Sequence, residues 1–182
     1  MLAAFIREVR DEFPNFRIVS KKGDRLSRVI DVALRVVTLG RMRDYLTHYH
    51  TVIGDTLYVP ESWDETDEVD RVITLRHERV HLRQRRRYTL PLMALIYLVP
   101  LFPIGLAYGR ARIEWEAYEE TLRATLELKG PAAARNPALK REIVRRFTSA
   151  DYGYMWPFES QVSSWYDQAL RSIASPTRGV SE

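Results

Sequence analysis

Apolar residues recur along this chain at two spacings, and the switches between them mark out its elements. At the start, Leu2, Phe5, Ile6, Val9 and Phe13 fall three or four apart, the spacing of one face of an α-helix. Phe16 to Ser20 alternates in the manner of a strand, and Lys21-Lys22-Gly23-Asp24 reads as a turn. Leu26, Val29, Ile30, Ala33 and Val37 return to helical spacing, which predicts a helix from Arg25 to about Leu39 with Gly40 as its C-terminal glycine. Tyr45 to Val59 is rich in β-branched and aromatic residues. Gly54-Asp55 divides it as a hairpin turn would, and Pro60 ends the second strand.

An acidic stretch, ESWDETDE, follows, with Asp64 or Thr66 placed to cap a helix running from about Glu68 to Arg87. Leu90 to Tyr108 then carries no charged residue, although arginines stand on either side at Arg85, Arg86, Arg87, Arg110 and Arg112. A long helix is expected from Arg110 to Lys129, closed by Gly130-Pro131. Beyond it come a loop from Pro131 to Pro137, a helix near Leu139 to Phe147, an aromatic loop from Tyr152 to Phe158, and a last helix around Val162 to Ile173. Ser175 to Glu182 reads as a flexible tail. The pattern predicts an α+β fold: mainly helical, with a small antiparallel sheet or hairpin packed on helices 68–87 and 110–129. Residues 1–174 are expected to form a single domain, with an apolar hairpin or lobe at 88–108.

Composition narrows the function classes. A length of 182 residues suits one domain, and 46% hydrophobic residues support a real core. The 28 basic residues are nearly balanced by 24 acidic ones, so the net charge of +4 permits contact with nucleic acid or anionic lipid without requiring either. No specific nucleic acid partner is expected. The absence of cysteine removes disulfides, thiol nucleophiles and thiolate zinc sites, and it fits a reducing, cytoplasmic setting. The first 13 residues carry charge from Arg7 onward and do not read as a secretory signal. No glycine-rich phosphate loop and no serine nucleophile elbow is present.

The chemistry concentrates in His77-Glu78-Arg79-Val80-His81. Residues four apart on a helix lie one turn above each other, so His77 and His81 can present neighbouring imidazoles to one metal ion. Imidazole nitrogen suits zinc. Glu78 can reach a water at an open coordination position and serve as its general base. A catalytic zinc site needs a third protein ligand. In the helix 110–129, Ala111, Trp115, Tyr118, Leu122 and Leu126 form an apolar sector that Ala117 and Leu128 extend, while Glu116, Glu119, Glu120, Arg123 and Glu127 gather opposite. Glu114 falls on the apolar side, beside Thr121 and Thr125. An inward carboxylate is costly unless paired or bound to metal, which makes Glu114 the candidate third ligand. The alternative is a buried ion pair with an arginine such as Arg35 or Arg79.

HExxH on one helix followed by a glutamate on a later helix resembles the gluzincin metallopeptidases. Glu114-Trp115-Glu116-Ala117-Tyr118 is similar to the ExEAD-type string of the CAAX-processing and heat-shock membrane metallopeptidases. The resemblance covers about residues 70–120 and implies one zinc ion held by His77, His81 and Glu114, with hydrolysis of a peptide or protein substrate. Tyr118 stands where that family has an aspartate supporting a zinc-binding histidine, so this role is left unassigned.

A single membrane crossing by the uncharged stretch would separate His81 from Glu114 by roughly the 30 Å of the hydrocarbon core. Pro91, Pro100, Pro103 and Gly105 also oppose a straight helix. The preferred reading is a buried hairpin; the other is an apolar lobe giving peripheral membrane contact through 88–108. His48 and His50 alternate on an expected strand and, with Tyr152 and Tyr154, are candidate substrate-binding residues. For each, ordinary strand or core packing is the competing reading. Val52 to Val59 is the candidate edge strand for pairing with an extended substrate. Two other classes stay open: a zinc-stabilised structural or interaction protein, and a basic nucleic-acid or membrane-surface binder.

Overall fold

In the computed structural model of the protein, residues 1–22, 50–88, 104–149 and 155–174 are described. The fold is α+β, mainly helical with one small sheet, and the chain divides into two compact units, Met1–Arg87 and Tyr88–Glu182.

The first unit opens with α1 (Leu2–Glu12), followed by β1 (Arg17–Ser20), β2 (Thr51–Ile53), β3 (Thr56–Val59), a 3-10 turn (Glu61–Glu65) and α2 (Glu68–Arg87). β2 and β3 are the expected antiparallel hairpin. Ile53 pairs with Thr56 around Gly54-Asp55, and Gly54 takes a φ of 62° that suits a residue without Cβ. The sheet is mixed rather than wholly antiparallel, because β1 joins β3 in parallel and the strand order is β1-β3-β2. β3 is therefore the central strand, so of the predicted edge strand Val52 to Val59 only Val52 and Ile53, in β2, belong to an edge strand among the described residues.

The core of this unit gathers Val9, Phe13, Phe16, Leu57, Val59, Trp63, Leu75 and Leu82. Leu57 and Val59 alternate inward from β3, and Leu2, Phe5 and Ile6 complete the predicted face of α1. Each large apolar side chain buried here stabilises the unit by about 1.5–3 kcal/mol.

The cap of α2 is Asp67, whose Oδ1 accepts from the Val69 N–H at 2.8 Å. The sequence pointed instead to Asp64 or Thr66. Thr66 Oγ1 donates to the Ser62 carbonyl and closes the 3-10 turn, while Asp64 lies inside that turn, paired with Arg71.

The second unit contains α3 (Ile104–Lys129), α4 (Pro131–Ala134), α5 (Pro137–Thr148) and α6 (Glu159–Ala174). α3 starts six residues before the expected Arg110, taking up the end of the uncharged stretch, Gly105 included. Gly130, at φ 84°, ends it. Pro131 to Ala134 forms a helical turn rather than a loop: proline at the first helical position needs no N–H partner, and the Gly130 carbonyl accepts from Ala134. Asn136 caps α5 through Ala138. Trp115 and Leu122 of α3, Ile143 and Phe147 of α5, Met155 and Trp156 of the loop, and Val162, Trp165 and Tyr166 of α6 share one core. The Tyr166 hydroxyl donates to the Ala134 carbonyl at 2.6 Å, and burial pushes its pKa up to about 12.

The helix expected at Arg25 to Leu39, most of the apolar stretch 88–108 and the tail 175–182 lie outside the described residues. No helix among the described residues is long and apolar enough to cross a membrane.

Candidate metal centre

Helix α2 positions both histidines. Its inward stripe runs Leu75, Glu78, Leu82, at spacings of three and four, and the two leucines enter the core. That docking fixes the rotation of the helix about its axis. His77 and His81 consequently share the neighbouring flank, both half-buried. Their Nε2 atoms face each other at 3.2 Å, with the rings edge to face and centroids 4.9 Å apart. Two nitrogens bound tetrahedrally to zinc at about 2.0–2.1 Å would lie about 3.3 Å apart. The pair is thus already spaced for one ion.

Glu78 is 7% exposed, a carboxylate on the core-facing stripe beside His77.

Glu114 sits on α3 where the sequence expected it. Ile113, Ala117 and Thr125 around it are buried, and Glu116 is exposed. Thr121 and Thr125 turn their hydroxyls back to the helix carbonyls of Ala117 and Thr121, so neither leaves an unmet donor on this face. One ligand atom from each of His77, His81 and Glu114 lies within 4.8 Å of the others, a group that could hold a metal ion. Arg79, one of the arginines that could neutralise Glu114, is paired with Glu12 at 2.6 Å. Arg35, another, lies outside the described residues.

Gln84 was not foreseen. It is 4% exposed, and its Oε1 stands 2.9 Å from His81 Nδ1. The spacing of three from His81 on a helix is the only signal the sequence carries for it. Tyr118 packs its ring against Phe147 at 5.4 Å in the second unit's core.

A second unforeseen feature is a strap across α2. Glu12 accepts from Arg79 Nε at 2.7 Å and from Arg83 Nε at 2.6 Å. The Arg83 hydrogen bond leads in holding the Glu12 carboxyl at about 2, with Arg79 adding to it. At the C-terminal end of α2, the Arg86 guanidinium lies 4.1 Å over the Phe13 ring, and Arg85 pairs with Asp55 at 2.6 Å. The arginines around the motif are thus tied into the first unit to a large extent.

Of the candidate substrate residues, His50 stands edge-on to Trp63 at 5.2 Å, just before β2. His48, Tyr152 and Tyr154 lie outside the described residues. The part of the aromatic loop that is described serves packing: Met155 and Trp156 are buried in the second core. No protein-family model, curated protein or solved structure matches this chain.

Proposed function

We propose that this protein is a zinc-dependent peptidase of the gluzincin type, acting on a peptide or protein substrate. The observation that carries the reading is the His77–His81 pair, Nε2 to Nε2 at 3.2 Å, with a Glu114 oxygen completing a three-ligand group. Among the described residues three ligands come together, and a three-ligand set with an open fourth position is what a catalytic zinc site has, whereas a fourth protein ligand would mark a structural one. Bound there, zinc would acidify a water and polarise a carbonyl. His77, His81 and Glu114 would hold the ion. Glu78 would take a proton from the water and return it to the leaving amine. The side of β2 (Thr51–Ile53) that pairs with no strand among the described residues offers backbone groups for pairing with an extended substrate.

Tyr118 supports a second reading. Its ring is committed to the core, so the aspartate support of the resembling family is missing, and a zinc-binding protein without hydrolytic activity would share the same ligand set. Turnover of a fluorogenic peptide library by zinc-loaded protein, with Glu78→Gln alongside, separates the two. Cleavage that stops in Glu78→Gln at unchanged zinc content supports the peptidase. Cleavage that persists in that variant removes Glu78 as base, and no cleavage by the loaded wild type favours the second reading.

A further inference from the structure

We infer that Gln84 is a positioning residue for the metal centre: its side-chain carbonyl holds His81 with Nδ1 protonated and Nε2 presented to the ion. The inference rests on the metal reading given above.

An amide as buried as Gln84 is costly unless hydrogen-bonded, and its Oε1 stands 2.9 Å from His81 Nδ1. A carbonyl oxygen can only accept, so Nδ1 must carry the hydrogen. In the neutral ring the lone pair then sits on Nε2, the nitrogen that faces His77 Nε2 at 3.2 Å. The opposite tautomer would set two lone pairs against each other at Nδ1 and turn an N–H towards the place of the ion. Gln84 therefore selects both the tautomer and the ring orientation that ligation requires. Because Gln84 lies three residues after His81 on the same helix, this support is built into α2 and does not depend on the position of Tyr118. An amide carbonyl is a weaker acceptor than a carboxylate, so it orients the ring while adding less to the ligand's basicity.

The test compares wild type, Gln84→Met and Gln84→Glu. Methionine keeps the length and much of the volume without the acceptor, and glutamate restores an acceptor. Zinc affinity is measured by competition with a chromophoric chelator. The His81 tautomer is read in metal-free protein from imidazole 15N shifts at mildly alkaline pH, and thermal unfolding monitors the fold. We expect zinc affinity about 10–100-fold weaker in Gln84→Met, recovery in Gln84→Glu, and loss of the Nδ1–H tautomer only in the methionine variant. Unchanged affinity and tautomer in Gln84→Met, with the wild type binding zinc, would overturn the inference while leaving the metal reading in place. A wild type that takes up no zinc would overturn both. A lowered melting temperature with unchanged tautomer and affinity would make Gln84 a packing residue and overturn the inference as well.

Discussion

His77 and His81 meet Nε2 to Nε2 at 3.2 Å on one flank of α2. Two neutral imidazoles in that arrangement are joined by an N–H···N hydrogen bond from one ring to the other, or by a cation that both lone pairs face. The helix supplies the spacing, and the burial of Leu75 and Leu82 supplies its rotation. Replacing Leu82 by Ala should accordingly harm the centre without touching a ligand. Removing this buried leucine should cost about 2–5 kcal/mol, read by chemical denaturation, with zinc affinity weakening as the helix loses its fixed rotation.

Glu78 and Glu114 should separate by what their loss does. Glu78→Gln should keep zinc and lower kcat by about 100–10,000-fold, the range for removing a general base. Glu114→Gln should weaken zinc binding itself, by at least the roughly 10–100-fold that outer-shell substitutions cost. Zinc titration beside steady-state peptide cleavage checks both.

The strap between α1 and α2 makes an acid-range prediction. Hydrogen bonds from Arg83 and Arg79 hold Glu12 at about 2, below its unfolded value. The stability this contributes is complete above the ordinary carboxylate range and is lost as pH falls from there through about 2. Glu68 is lowered too, chiefly by the Leu2 N–H, so the wild type should lose stability in acid more steeply than Glu12→Gln rather than uniquely. Chemical denaturation across the acid range gives the comparison. Parallel curves for the two proteins would mean that the strap contributes nothing.

In the second unit, Phe147 is fully buried among Trp115, Tyr118 and Trp165. Phe147→Ala should destabilise the protein by about 3–5 kcal/mol. Calorimetry measures the effect.

Much of this arrangement was legible because periodicity in a sequence reports burial. The face of α1, the hairpin turn at Gly54-Asp55 and the contrast between Glu114 and Glu116 all follow from which positions recur on one side of a helix or strand. What was not legible depends on partners distant in the chain or on competition between near-equal local choices. The parallel pairing of β1 with β3 sets Arg17 beside Thr56, and no local pattern fixes that register. Glu12 finds Arg83 across 71 positions. Asp67 outcompetes its neighbours as cap because Thr66 is drawn into the preceding turn. Gln84 sits close to its partner, but a glutamine on an arginine-rich helix gives no sign that it will be buried.

Metal content tests the central claim most directly. Wild type, His81→Ala and Glu114→Ala would be purified without added metal, offered zinc, dialysed, and assayed by inductively coupled plasma mass spectrometry. The geometry of His77, His81 and Glu114 predicts about one zinc per wild-type chain and loss or marked weakening in both variants. Folded wild-type protein that retains no zinc, or a Glu114→Ala variant that binds it as tightly as the wild type, would contradict it.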